Sequence, residues 1–279
     1  MLGLLLATVA LLSAWSPAAD ALTKLRTRPA APTPAATPSP SAVAPARTAN
    51  PAPSASAAAV GPYRVVGLGD SVPAGSACSC TSYVALVGAS EAARRGTRAA
   101  VTNLAQGGLT TADLLEQLEE GSVRRAVAAA DLVIVTVGAN DFDSSAVGDS
   151  SCSAPALSCF QPVLQQQTSQ VAAALREVRQ LQAAHGGRTL VTGYWNVFLD
   201  GSVAAAQGAA YVRNSVALTR AENALLAAAA AAQGATYVDV FTPFKGSGDR
   251  DDTALLAPDG DHPNAAGHGL LASTLEGAL

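Results

Sequence analysis

From residue 60 onward the chain alternates short apolar runs with longer stretches in which apolar residues recur every three or four positions. Arg64–Leu68 (RVVGL), Ala99–Leu104 (AAVTNL), Leu132–Val137 (LVIVTV), Arg188–Thr192 (RTLVT) and Ala235–Val240 (ATYVDV) read as five strands. The third is apolar at nearly every position, the pattern of a central parallel strand covered on both faces. Between the strands the helical period predicts helices over 82–95, from Ala112 with Thr111 as cap, 123–130, 163–184 and 211–232, with a closing helix over 263–275. Strict alternation of strand and helix predicts an α/β domain, a doubly wound, three-layer α/β/α sandwich with a five-stranded parallel sheet. In such sheets ligands bind at the carboxyl ends of the strands.

The first 59 residues follow neither period. Residues 2–15 are apolar apart from Gly3, Thr8 and Ser13, too short for a membrane span and suited to the apolar region of a secretory signal. Ala19-Asp20-Ala21 has the form of a cleavage site. No Lys or Arg precedes the apolar run, so an uncleaved anchor is the competing expectation. Either way the chain is expected to leave the cytoplasm, secreted or tethered at the surface. Residues 22–59 hold eight of the 16 prolines among Ala, Ser and Thr. Such a stretch has too few large apolar groups to offset the entropy of ordering it and reads as a linker. The expected organisation is therefore signal or anchor 1–21, linker 22–59 and one domain over 60–279.

Charge narrows the partners. Four of the 17 basic and one of the 21 acidic residues precede residue 60, which leaves the domain at −7 and argues against nucleic acid. A monomer with no membrane-inserted part in the domain is expected. Four cysteines, Cys78, Cys80, Cys152 and Cys159, suit disulfides in an exported chain. A Cys152–Cys159 bond would add roughly 2–3 kcal/mol by loop entropy. Cys78–Cys80 would form a tighter ring, and cross-pairing of the two sets stays open. Neither these spacings nor the aspartates at 249, 251, 252, 259 and 261 match a zinc or calcium site, so no metal is expected.

The candidate chemistry sits where strands end. Gly69-Asp70-Ser71 follows the first strand, Gly107-Gly108 the second and Gly138-Ala139-Asn140-Asp141 the third. A serine hydroxyl needs a base. Of the three histidines, His185 ends a helix and His268 lies inside the last one. His262 stands in a polar turn with Asp259 three residues back, where a carboxylate can fix the tautomer and stabilise the imidazolium. Asn140, with a side-chain amide, and the backbone N–H groups of Gly108 and Ser71 are candidate oxyanion donors. Asp70 reads as a loop brace or helix cap. Tyr194, Trp195 and Phe198, just past strand four, read as core or as pocket lining, and 147–161 as a possible pocket rim.

Four blocks together resemble the SGNH hydrolases, the GDSL esterase/lipase superfamily: Gly69-Asp70-Ser71, Asn103 to Thr111 with Gly108, Gly138 to Asp141 with Asn140, and Asp259-Gly260-Asp261-His262-Pro263. Val72 stands where the family's name has Leu. The resemblance implies a flavodoxin-like sandwich and ester hydrolysis without a cofactor. Its catalytic serine, acid and base would be Ser71, Asp259 and His262, and its oxyanion donors Ser71, Gly108 and Asn140. Small-molecule or polysaccharide esters are the expected substrates. A polysaccharide O-deacetylase, an acyltransferase and a non-catalytic wall- or carbohydrate-binding module are the alternatives.

Overall fold

The computed structural model describes residues 61–279. The segments read as signal (1–21) and linker (22–59) lie outside the described residues. Five parallel strands, β1 (Tyr63–Gly69), β2 (Ala99–Asn103), β3 (Leu132–Thr136), β4 (Arg188–Thr192) and β5 (Thr236–Val238), form one sheet in the order β2-β1-β3-β4-β5. That order reverses direction between β1 and β3, which makes their carboxyl ends the crevice of the sheet. The expected fold class is what the chain adopts.

Nine helices are found among the described residues: α1 (Ser71–Ala74), α2 (Tyr83–Arg94), α3 (Thr111–Gln117), α4 (Gly121–Ala128), α5 (Gln161–Gln182), α6 (Gly201–Ala206), α7 (Ala209–Gln233), α8 (Phe241–Lys245) and α9 (Ala265–Glu276). Helix α2 packs on α9, while α5 packs on α3, α4 and α7. β3 is buried along its whole length, as its unbroken apolar run requires. Leu68, Leu114, Leu132, Ile134, Leu190 and Leu218 are among the largest fully buried side chains.

Several boundaries differ from expectation by one or two residues, and at three of them a polar side chain settles the position. Thr110, not Thr111, caps α3: its hydroxyl accepts from the Asp113 N–H while the Asp113 carboxylate accepts from the Thr110 N–H. This frees Thr111 to turn inward. The closing helix begins at Ala265, not Pro263, because Asn264 accepts from the Ala266 and Gly267 N–H groups and Pro263 is bridged to Leu256. β5 stops at Val238 because Asp239 Oδ1 accepts from the N–H groups of Phe241 and Thr242, at 2.9 and 3.2 Å, and so opens α8. Cys78 is bonded to Cys80 and Cys152 to Cys159, with Cα–Cα distances of 5.1 Å in both, so neither pair crosses to the other.

The closest backbone approach in the sheet lies at its crevice. Gly69 is in register with Thr136, and the Asp70 N–H donates to the Thr136 carbonyl at 3.0 Å. Gly69 has φ +116°, and a Cβ there would overlap that carbonyl oxygen. Gly108 also has positive φ, +81°, but faces open space. Gly69→Ala should therefore destabilise the domain by ~3 kcal/mol or more, or prevent folding, through backbone overlap and strain. Gly108→Ala should cost only about 1–2 kcal/mol, the ordinary left-handed penalty. Urea denaturation of the two variants separates these cases; equal losses would contradict the packing described.

Candidate active site

Four loops meet at the carboxyl edge of the sheet. The first is the β1–α1 turn. Asp70 is the cap of α1, its Oδ1 accepting from the Val72 N–H at 3.0 Å, so Ser71 opens the helix with its own N–H unused by any described residue. The Asp70 carboxyl is 1% exposed, and burial pushes it up to about 7 even though Tyr194 and the Val72 N–H pull it down. The second loop follows β2. The Gln106 N–H donates to the Gly69 carbonyl at 2.8 Å, which holds Gly107 beside Ser71: a Cβ on Gly107 would lie 4.0 Å from Ser71 Cβ. The exposed N–H of Gly108 has no acceptor among the described residues.

The third loop follows β3. Ala139–Asp141 forms a 3-10 turn after Gly138. Asn140 Nδ2 donates to the Leu109 carbonyl at 3.1 Å, leaving its second N–H free to point elsewhere. The Asp141 carboxylate accepts from the N–H and hydroxyl of Thr111 at 2.9 and 2.5 Å, so the second and third loops are tied together.

The fourth is the Asp259–His262 turn. His262 Nδ1 lies 2.8 Å from Asp259 Oδ2, and Asp259 Oδ1 accepts from the N–H groups of Asp261 and His262 at 3.0 and 3.1 Å. Burial works against ionisation of Asp259. Its hydrogen bonds from the Asp261 N–H and from His262 outweigh that and hold it below its ordinary value. Asp261 sits 3.8 Å from the same ring nitrogen and is shifted up, first by burial and then by Asp259. The turn is held from outside itself: the Ala257 N–H donates to the His262 carbonyl at 2.7 Å and the Asp200 N–H to the Gly260 carbonyl at 2.6 Å. Both Asp261 and His262 act electrostatically on Asp70, so this turn faces the same end of the sheet as the serine turn.

The other histidines are elsewhere. His185 pairs with Asp131 at 2.9 Å, at the opposite edge of the sheet. His268 is fully buried in α9, accepts from the Tyr83 N–H at 3.3 Å and is lowered to about 4 by burial. Cys78, Cys80 and His268 bring one ligand atom each within 4.8 Å of one another, but the two sulfurs are bonded together, so the thiolates a metal needs are absent.

A cavity of about 560 Å³ opens next to the third and fourth loops, lined by Asn140 and Asp261 and by Phe142, Val197, Phe198 and Leu199 among others. Ser144, Ser145, Val147 and Gly148 form one side, so the start of the 147–161 segment does reach the rim. Phe142, Phe160 and Phe198 contact one another beneath it, with ring centroids 5.8–6.4 Å apart. Trp195 is core, stacked on Phe244 at 4.7 Å, and Tyr194 is 1% exposed.

Residues 68–270 match the model of the GDSL-like Lipase/Acylhydrolase family. The chain belongs to this family. Ester hydrolysis is accordingly its reaction class. Among solved structures, the GDSL-like chain is similar to the lipase Lip_vut3 from a goat rumen metagenome, at 18% identity over 77% of this chain and 97% of that one, with a TM-score of 0.61. It is also similar to a variant of Axe2, an acetyl xylan esterase from Geobacillus stearothermophilus, at 19% identity over 76% of this chain and 92% of that one, with a TM-score of 0.51. At these identities the likeness is one of fold. A search of curated proteins finds no match.

Tyr194 is core, one of the two readings the sequence left open, but no local pattern predicts its partners Asp70 and Ala139. A second buried group near the site escaped the sequence reading altogether. Glu222, on α7, is fully buried against Gly138, and neither carboxyl oxygen has a hydrogen-bond partner. Burial, with a contribution from Asp141, raises it to about 8. An acid whose folded value is raised favours the folded state below its unfolded value, and that contribution disappears as pH rises through about 8. Glu222→Gln should remove this term. Denaturation at pH 5 and pH 9 should show the variant gaining stability relative to wild type as pH rises; a constant difference would mean that Glu222 is not neutral when buried.

Proposed function

We propose that the chain is a serine hydrolase that cleaves carboxylic esters through an acyl-enzyme. The observation that supports this reading is the Asp259–His262 pair, whose turn acts electrostatically on Asp70, the cap of the turn that presents Ser71 at the sheet crevice. With Nδ1 engaged by Asp259, the proton-accepting position of His262 is Nε2. Ser71 Oγ attacks the ester carbonyl and its proton passes to His262 Nε2. The carbonyl oxygen becomes an oxyanion, met by the N–H groups of Ser71 and Gly108 and by the free amide N–H of Asn140. Collapse expels the alkoxide, which takes the proton from His262. Water then repeats the sequence on the acyl-enzyme, and Ser71 is released with the carboxylic acid. Asp259 keeps the ring oriented and offsets its positive charge; no cofactor takes part.

The cavity beside Asn140 is the natural seat of the acyl chain. Phe142, Val197, Phe198 and Leu199 supply apolar lining, and the space exceeds what an acetyl group fills. Short to medium acyl esters fit best. Its rim of Ser144, Ser145, Gln207 and Asp261 favours a second reading, an O-deacetylase for acetylated polysaccharide, in which sugar hydroxyls bond that rim. The apolar run at 2–15, the Pro-rich stretch and the disulfides support an exported enzyme.

Two outcomes are expected. Ser71→Ala should lower p-nitrophenyl acetate turnover by ~10³-fold or more and abolish labelling by a fluorophosphonate, with thermal unfolding little changed. Retained turnover would overturn the mechanism. Leu199→Trp, which narrows the cavity, should reduce kcat/KM for p-nitrophenyl octanoate about 10-fold or more relative to the acetate ester. An unchanged ratio, with better turnover on acetylated xylan, would favour the deacetylase reading.

A further inference from the structure

The Tyr194 phenol lies between two of the four loops. Its hydroxyl donates to Asp70 Oδ2 in a short hydrogen bond and accepts from the Ala139 N–H at 3.3 Å. Asp70 caps the turn that presents Ser71, through the Val72 N–H. Ala139 opens the turn that presents Asn140. One oxygen therefore touches the supports of both the nucleophile and an oxyanion donor.

Tyr194 is itself held without slack. Asn223 on α7 accepts from the Tyr194 N–H and donates to the Tyr194 carbonyl, both at 2.8 Å. Tyr194 is 1% and Asn223 8% exposed, so both contacts lie in the interior. Asp70 has no charged partner within this brace. Its second oxygen depends on the phenol, and a buried carboxyl that loses its donor leaves the helix cap less well fixed.

We propose that Tyr194 is a positioning residue that sets the distance between the Ser71 turn and the Asn140 turn, acting through Asp70 on one side and Ala139 on the other. It touches neither substrate nor reacting atoms. The proposal rests on the serine-hydrolase reading for its consequence in rate, but not for the brace itself. An interaction that aligns nucleophile and oxyanion donor acts on the transition state more than on substrate binding.

The test uses Tyr194→Phe, which keeps the ring and removes only the hydroxyl, with Asp70→Asn and the double variant beside it. Hydrogen–deuterium exchange should quicken in both segments, 68–74 and 137–142, in Tyr194→Phe. With p-nitrophenyl butyrate, kcat should fall ~10–100-fold while KM stays within about 2-fold and the melting temperature moves little. The double variant should be no slower than the slower single variant, as expected of groups acting through one contact. Unchanged exchange in either segment, a loss confined to KM, or additive losses in the double variant would each overturn the proposal. If Tyr194→Phe does not fold, Asp70→Asn carries the same exchange measurement, and unchanged exchange at 137–142 is then the overturning result. A wild-type chain without ester turnover would defeat the serine-hydrolase reading alone, because the exchange measurement still decides the brace.

Discussion

The site depends on how closely β1 and β3 approach where both strands end. Asp70 donates its backbone N–H to the Thr136 carbonyl, and the contact exists because Gly69 carries no side chain to stand in the way. That hydrogen bond extends the strand ladder by one step past the last paired residues. It puts the serine turn and the asparagine turn on neighbouring rungs. The strand ends from which the two turns depart are thus one inter-strand spacing apart, about 4.8 Å, and the Tyr194 hydroxyl ties the turns together beyond that point. The second loop is bound to the same frame by the Gln106 N–H on the Gly69 carbonyl.

Polar groups buried behind this edge carry the cost of such packing. Asp70, Glu222 and Gln167 all lie within the layer under the third loop, and Gln167 Nε2 donates to the Gly138 carbonyl at 2.7 Å. The two acids meet burial differently. Asp70 is held by two hydrogen bonds whereas Glu222 has none, and burial shifts both toward the neutral form. Farther out, Lys245 sits between Asp200 and Asp252, all three almost wholly buried, and Asp200 in turn holds the Gly260 carbonyl. The Asp259–His262 turn is therefore held beside a buried Lys245–Asp200–Asp252 cluster, while the Ser71 turn rests on a chain of hydrogen bonds.

The sheet and the motif positions were legible because they follow from periodicity and strand ends. Leu132–Val137 could hardly be anything but a central strand, and Asp259 with His262 needed only a tight turn to meet. What could not be read comes in two kinds. Helices α1, α6 and α8 span four to six residues, too few to show a period of 3.6, and depend on caps at Asp70 and Asp200 or on tertiary contact. Choices between adjacent residues, such as Thr110 over Thr111, turn on which hydroxyl faces a helix end and which faces Asp141 thirty residues away. Tyr194 belongs to the same class: its partners are Asp70 and Ala139, 124 and 55 positions distant in sequence, and no local pattern marks them.

The proposed acid and base share one turn at residues 259–262, whereas the proposed nucleophile and oxyanion donors all lie before residue 141. The turn is set in place by the 252–257 segment on one side and by α9 docking on α2 on the other. A chain emerging amino terminus first thus completes β1, β2 and β3, with their loops, long before it has a base. On the proposed mechanism its serine lacks a base throughout that interval, because His185 pairs with Asp131 and His268 is buried against Tyr83. On the proposed mechanism, the order of elements along the polypeptide makes the hydrolase its own timer: reactivity arrives with the last helix, once the rest of the domain has closed around the site.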